Sequence, residues 1–194
     1  PLAIALPANI EEVQAIARWA NAHGIALVPS GGRTGLSGGA VAANGELVVS
    51  FERMNRVLDF NPVDRILTVQ PGIALEAVHK AAAEHGLIYP VDFAARGSCS
   101  IGGNIATNAG GIRVIRYGNT REWIAGVKLV TASGDLLELN RGLIKNSSGY
   151  DLRQLVIGAE GTLGFVVEAT LRLTDPPPAS QVMRTGKRGP GCPS

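Results

Sequence analysis

Eleven residues carry the densest chemical signal in the chain: Pro29-Ser30-Gly31-Gly32-Arg33-Thr34-Gly35-Leu36-Ser37-Gly38-Gly39, five of them glycine, directly after the apolar run Ile25 to Val28. Glycine accepts positive φ at little cost and has no Cβ to hold a ligand away, so such a loop can turn several backbone N–H groups toward one anion. This pattern predicts a pyrophosphate cradle. With positive φ at Gly32, a valine there would cost about 1–2 kcal/mol and would block close approach of the phosphates. A second stretch, Gly97 to Gly111, has the same character with more amide and hydroxyl side chains, among them Ser98, Asn104, Thr107 and Asn108. That composition suits a larger polar ligand, and the two loops are expected to face each other across one nucleotide cofactor.

The elements that must hold these loops follow from periodicity. Ile4 to Leu6 is a short strand, and Asn9 with Glu12 can cap a helix whose apolar face is Ile10, Val13, Ile16, Ala17 and Ala20, ending at Gly24. Strand Ala26 to Val28 then feeds the first loop, which implies a small parallel unit. Leu47 to Phe51, Val57 to Phe60 and Ile66 to Gln70 read as strands, with a turn at Asn61-Pro62. Pro71-Gly72 opens a second helix carrying Leu75, Ala77, Val78, Ala81 and Ala82, which ends at His85-Gly86. After the second glycine stretch come a hairpin, Ile124 to Thr131 and Leu136 to Leu139, a short helix within Asp151 to Ile157, and the strand Phe165 to Leu173. The expected fold is α+β in two lobes, a small parallel α/β lobe over 1–70 and a mostly antiparallel sheet lobe over 71–178. Residues 179–194 read as linker or disordered tail.

Composition narrows the function classes. Glycine is 25 of 194 residues, against an average near ~7%, and the excess sits in loops. The net charge of +2 depends on Arg184, Lys187 and Arg188 in the tail, without which 15 Lys+Arg face 16 Asp+Glu. With no basic stripe and 5% aromatics, a nucleic-acid partner has little support. Two cysteines, Cys99 and Cys192, make no disulfide framework. No run of 18 apolar residues and no charged leader is present, so a cytoplasmic protein without a transmembrane segment is expected. Trp19 and Trp123 are expected in the core or between lobes, and Cys99 as a small packed residue. His23 and His85 can cap helix carbonyls and His79 lies mid-helix, all three structural.

Known phosphate motifs are absent: there is no Gly-x-x-x-x-Gly-Lys-Ser/Thr and no Gly-x-Gly-x-x-Gly. Pro29 to Gly35, Ile101-Gly102-Gly103-Asn104, Asn146-Ser147-Ser148-Gly149-Tyr150-Asp151-Leu152 and Glu160-Gly161-Thr162-Leu163-Gly164 instead stand in a recognisable order. Over Ala3 to Pro178 the chain resembles the FAD-binding domain of the vanillyl-alcohol oxidase (PCMH-type) family. Within that family it is most similar to the branch of D-2-hydroxyglutarate dehydrogenase, FAD-linked D-lactate dehydrogenase and the FAD subunit of glycolate oxidase. The resemblance implies that Ser30, Gly31, Gly32, Arg33, Thr34, Gly35, Leu36 and Ser37 wrap the FAD pyrophosphate between the lobes. It also implies that Gly97, Ser98, Gly102, Gly103, Asn104, Thr107, Asn108, Gly110 and Gly111 line the cofactor. Glu160, Gly161 and Val166 are placed near its nucleotide half, with Tyr117 and Gly118 as further contacts. Asn104 and Asn108 could instead satisfy turn backbone.

Members with covalent flavin often carry His directly after the Gly-Gly; this chain has Arg33, so non-covalent FAD is expected, its guanidinium either on a phosphate oxygen or solvated at the rim. The implied reaction oxidises a D-2-hydroxy acid to the 2-oxo acid, with electrons leaving to a quinone or an electron-transfer flavoprotein. Substrate-binding and catalytic groups, metal-binding His included, belong to a C-terminal substrate domain that this chain lacks, so no catalytic base or metal ligand is assigned here. Two readings stay open beside it: a nucleotide-binding module without turnover, and a same-fold sugar-alcohol oxidase or peptidoglycan-precursor reductase.

Overall fold

Two sheets and the helices packed on them make up the computed structural model, which describes residues 1–143 and 145–178. The tail expected after Pro178, with Cys192 and its three cations, lies outside the described residues. Strands β1 (Ala3–Ala5) and β2 (Leu27–Ser30) both pair parallel with β3 (Leu47–Ser50), in the order β1-β3-β2. The parallel unit is therefore as expected, with β3 inserted at its centre. Helix α1 (Ile10–His23) connects β1 to β2. Asn9 Oδ1 accepts the Glu12 N–H at 2.8 Å and Gly24 ends the helix at φ 65°, a cap of the kind that stabilises by about 1 kcal/mol.

The buried stripe of α1 is Val13, Ala17 and Ala20, and the first two pack with Val49, Phe51, Met54, Val130, Phe165 and Val167. That small core joins α1 to both sheets, so the lobes are not independent. Trp19 projects away from the stripe and is 46% exposed, contrary to its expected burial; its ring lies beside His23, with centroids 4.8 Å apart. Residue 19 falls on the opposite side of a 3.6-residue helix from Val13 and Ala17.

The second sheet runs β4 (Val57–Asn61), β5 (Ile66–Val69), β8 (Phe165–Arg172), β6 (Ile124–Val130) and β7 (Leu136–Arg141), antiparallel throughout. Strands β4 and β5, placed by sequence in the lobe over 1–70, hydrogen-bond here instead, so the sheets divide the chain after Phe51 rather than near Gln70. The alternation of Leu67 and Val69 says that one face is buried, not which sheet buries it; pairing of Leu67 with Leu171 decides.

Helix α2 (Leu75–Glu84) starts later than Pro71-Gly72. Those two residues form a turn, in which Gly72 N–H donates to Met54 O at 2.8 Å and a Cβ would come 1.9 Å from Phe51 O. Leu75, Val78 and Ala82 of α2 join Ile101, Ile105, Val127, Ala169 and Leu171 in the main core. The second glycine stretch, expected as a loop, contains helix α3 (Ile101–Ala106). Short helices at α4 (Val114–Tyr117), at Thr120–Trp123 and at α5 (Arg153–Val156) complete the chain, of which only α5 was expected. Trp123 packs against the core, as anticipated, and its Nε1–H donates to Tyr117 O at 2.7 Å.

Each histidine has a structural place. His23 Nδ1 lies 2.8 Å from Trp19 O and His79 Nε2 2.8 Å from Val91 O, while the His85 ring stacks on Phe60 at 3.7 Å rather than capping a carbonyl.

Candidate functional site

Three segments distant in sequence converge on one cavity of about 520 Å³. The first glycine loop leaves the end of β2. The second segment is α3 and the turn after it, and the third is the turn from Ala159 to Gly164 between α5 and β8. The third is tied to α3 from behind, where Gly158 N–H donates to Ile105 O at 3.0 Å and Glu160 N–H to Ala106 O at 2.9 Å. Arg121 fixes the same turn, its guanidinium donating to Ile157 O at 2.6 Å and Gln154 O at 3.0 Å. A volume of this size is typical of small-molecule sites.

Close packing explains several glycines. A Cβ on Gly32 would come 2.0 Å from Ser98 O, and one on Gly102 would come 2.8 Å from Pro71 Cβ. Gly32 therefore has a steric requirement and no left-handed one. Within the first loop positive φ falls on Arg33, at 55°, and on Gly38. The two loops meet where Gly32 N–H donates to Ser100 Oγ at 3.2 Å, so they do face each other.

The cavity brings together most of the sequence-derived residues: Gly31, Gly32, Arg33, Thr34, Gly35 and Ser37, then Gly102, Gly103, Asn104, Thr107, Gly110 and Gly111, then Glu160, Gly161 and Val166. The others are not in its wall. Ser30 is buried at the end of β2, Leu36 is fully exposed, Ser98 lies against Gly32 and Gly97 lies beside Glu76. Asn108 Oδ1 accepts the Arg121 N–H at 3.0 Å, the turn-satisfying alternative considered from sequence. Tyr117 and Gly118 serve the packing of Trp123 and Glu122. Sequence reasoning missed Ser100 and the apolar wall of Pro29, Phe51, Phe93, Val156 and Phe165. Ser100 had a signal, a serine just before Ile101-Gly102-Gly103-Asn104; the aromatic positions look like any core residue.

Hydrogen-bond donors decide what the cavity can hold. Among the described residues, the N–H groups of Arg33, Thr34, Gly35, Leu36 and Ser37 have no partner within the chain, nor do those of Gly110, Gly111 and Gly161. Backbone donors left free along the wall of one cleft suit an anionic, oxygen-rich ligand. Asn104, which lines the cavity, is 5% exposed and its Nδ2 donates to Cys99 Sγ at 3.6 Å. Burial pushes the Cys99 thiol above its ordinary pKa, so it is an inert packed group. No group of three or more His, Cys, Asp or Glu among the described residues is placed to hold a metal.

A small parallel sheet and a larger antiparallel one, meeting at a glycine-lined cleft with its free amides gathered there, define a PCMH-type dinucleotide-binding domain. The family model of the FAD binding domain matches residues 1–140, and the chain belongs to that family. It is 79% identical over 183 residues to the D-2-hydroxyglutarate dehydrogenase of Xanthomonas citri pv. viticola, covering 94% of this chain and 39% of that protein. It is 67% identical over 177 residues to the protein of the same name from Stutzerimonas stutzeri, covering 91% and 38%. Among solved structures, an alkyldihydroxyacetonephosphate synthase superposes with a TM-score of 0.81 at 25% identity, over 91% of this chain and 32% of that one. The chain thus spans about two fifths of the length of the bacterial relatives it matches. Among the described residues no helix is long and apolar enough to cross a membrane.

Proposed function

We propose that this chain is the FAD-binding part of a D-2-hydroxy-acid dehydrogenase, with D-2-hydroxyglutarate as the first substrate to test. The observation that carries the reading is that Arg33, Thr34, Gly35 and Ser37, whose backbone N–H groups have no partner within the chain, line one glycine-rich cavity. The 79% identity to a protein named D-2-hydroxyglutarate dehydrogenase supports the substrate class. When bound, FAD supplies a two-electron acceptor for the hydride from C2 of the hydroxy acid, and a quinone or an electron-transfer flavoprotein takes the electrons onward.

This chain's own residues bind and orient. The first loop would hold the diphosphate by backbone donation, with the Arg33 guanidinium as a further donor. Gly110, Gly111 and Gly161 have free N–H groups that would bind polar groups of the cofactor, and Ala106 and Ala109 add small side chains to the same wall. Attachment is non-covalent: Arg33 stands where a linking histidine would, and Cys99 is buried and packed. With Cys99 reduced and enclosed, a reducing cytoplasm is the setting we infer.

The test is an FAD titration of the purified chain by absorbance and flavin fluorescence, followed by assays with D-2-hydroxyglutarate and D-lactate plus an artificial electron acceptor. Binding of one FAD, releasable on denaturation, with no turnover until the rest of the protein is supplied, is the expected result. A chain that leaves the flavin spectrum unchanged would remove the cofactor assignment.

A further inference from the structure

We propose that Asn44-Gly45 is a site of spontaneous covalent modification, at which the Gly45 amide nitrogen closes on the Asn44 side chain and converts it to aspartate and isoaspartate. In the whole sequence this is the one asparagine followed by glycine. Glycine has no Cβ to shield its own nitrogen, and the fold leaves that nitrogen open. Both residues are exposed, and no atom lies within 4 Å of the place where a Gly45 Cβ would stand. Gly45 has a φ of 85°, and among the described residues nothing accepts its N–H. The flanks of the pair are tied down instead: Asn44 N–H donates to Glu46 Oε2 at 2.7 Å, and Glu46 O accepts the Leu2 N–H at 2.8 Å.

Other asparagines differ on both counts. Asn9, Asn61, Asn108 and Asn146 use their side-chain oxygens to accept backbone N–H groups, and each precedes a residue that has a side chain. At Asn44 the step needs only hydroxide and water. The Gly45 nitrogen loses its proton to hydroxide and bonds to Asn44 Cγ, while the Cγ–Nδ2 bond breaks and ammonia leaves with a proton taken from water. Water then opens the resulting five-membered ring. Attack at Cγ gives aspartate with the original backbone; attack at the Asn44 main-chain carbonyl gives isoaspartate, in which the backbone runs through Cγ and is longer by a carbon. Asn44 lies between Val41, in the cavity wall, and Leu47, where β3 begins. Either product thus puts a new negative charge, and isoaspartate a longer backbone, in the connector from the first glycine loop to the centre of the parallel sheet.

The experiment incubates the purified chain at neutral and mildly alkaline pH beside a synthetic peptide of the sequence Thr34 to Arg53, and then digests the chain with trypsin. Cleavage after Arg33 and Arg53 isolates Asn44, and cleavage after Lys145 and Arg153 isolates Asn146, each as the single asparagine of its peptide. We expect the Asn44 peptide to gain the mass difference between an amide and an acid, and to split into two forms, one of which a protein-isoaspartate methyltransferase labels. Conversion should run about tenfold faster than at Asn146, and Gly45→Ala should slow it to the Asn146 rate. The rate in the folded chain should lie within about threefold of the synthetic peptide, as for an open surface segment, and should rise with pH because the attacking nitrogen must first lose its proton. Conversion no faster at Asn44 than at Asn146 overturns the proposal, as does a Gly45→Ala chain that converts as fast as wild type. A folded chain that converts about tenfold more slowly than the peptide overturns it too, since the fold would then hold the pair out of reach.

Discussion

The two glycine stretches look alike in composition and behave in opposite ways. In the first, from Gly31 to Val41, the chain makes almost no internal hydrogen bonds; Gly32 N–H to Ser100 Oγ and Val41 N–H to Gly38 O are the two among the described residues. Its donors remain free for a ligand. In the second, from Gly97 to Gly111, most N–H groups are used internally: Ser98 and Cys99 bond to Ala95 O, Gly102 to Pro71 O, Thr107 to Gly103 O and Ala109 to Asn104 O. Here glycine removes side chains so that backbones can touch, as where a Cβ on Gly111 would sit 2.3 Å from Asp92 O. One residue type thus serves ligand approach in one segment and dense packing in the other.

Substitutions test this contrast, beginning with the packed stretch. Gly111→Val combines a φ of 96° with overlap on the Asp92 backbone, and should cost about 3–4 kcal/mol. For a domain of this size that lowers the thermal midpoint by about 10 °C, readable by calorimetry; an unchanged midpoint would break the comparison. Gly32→Ala, at the junction of the two stretches, should weaken FAD binding about tenfold by pushing the first loop off Ser98, at about 1–2 kcal/mol of stability. Gly35→Ala is the contrasting control. Nothing lies within 4 Å of its Cβ position, so stability should stay within about 0.5 kcal/mol of wild type.

The smallest effect concerns an electrostatic anchor on the packed side that the open loop lacks. Arg153 donates to Ile124 O at 2.9 Å and Ala125 O at 2.7 Å, and pairs with Asp151 at 2.7 Å. The Arg153 guanidinium holds the Asp151 carboxyl below its ordinary value of 3.8. A depressed carboxylate contributes stability above its unfolded pKa and loses it as pH falls through the folded one. Asp151→Asn should therefore be less stable than wild type above about pH 5, with the gap closing in acid. Urea midpoints measured across that range check the sign, and a gap that widens in acid would contradict it.

Local signals were legible where they were local in cause. Asn9, Glu12, Val13, Ala17 and Gly24 specify α1 and both its ends, because caps and a 3.6-residue stripe act within a few turns. The hairpin at Ser133-Gly134 and the cradle's glycine spacing are of the same kind. Trp19 is exposed although its bulk predicts burial, because size alone does not say which way a helix faces. Motif proximity predicts Asn108, Tyr117 and Gly118 in the site, whereas in the structure they lie outside the cavity wall and contact Arg121, Trp123 and Glu122.

The chain's sequence by itself determined the parallel unit, the hairpin, the two glycine segments and the family they belong to, since each rests on backbone conformation or short-range periodicity. Only the tertiary structure decided that β4 and β5 join the larger sheet, that Gly97 to Gly111 is built around a helix, and that Ser100 stands between the loops. Those outcomes depend on which surfaces meet across tens of residues. Such pairings are set by how side-chain volumes and hydrogen-bond partners fit together, and a linear pattern does not carry that information.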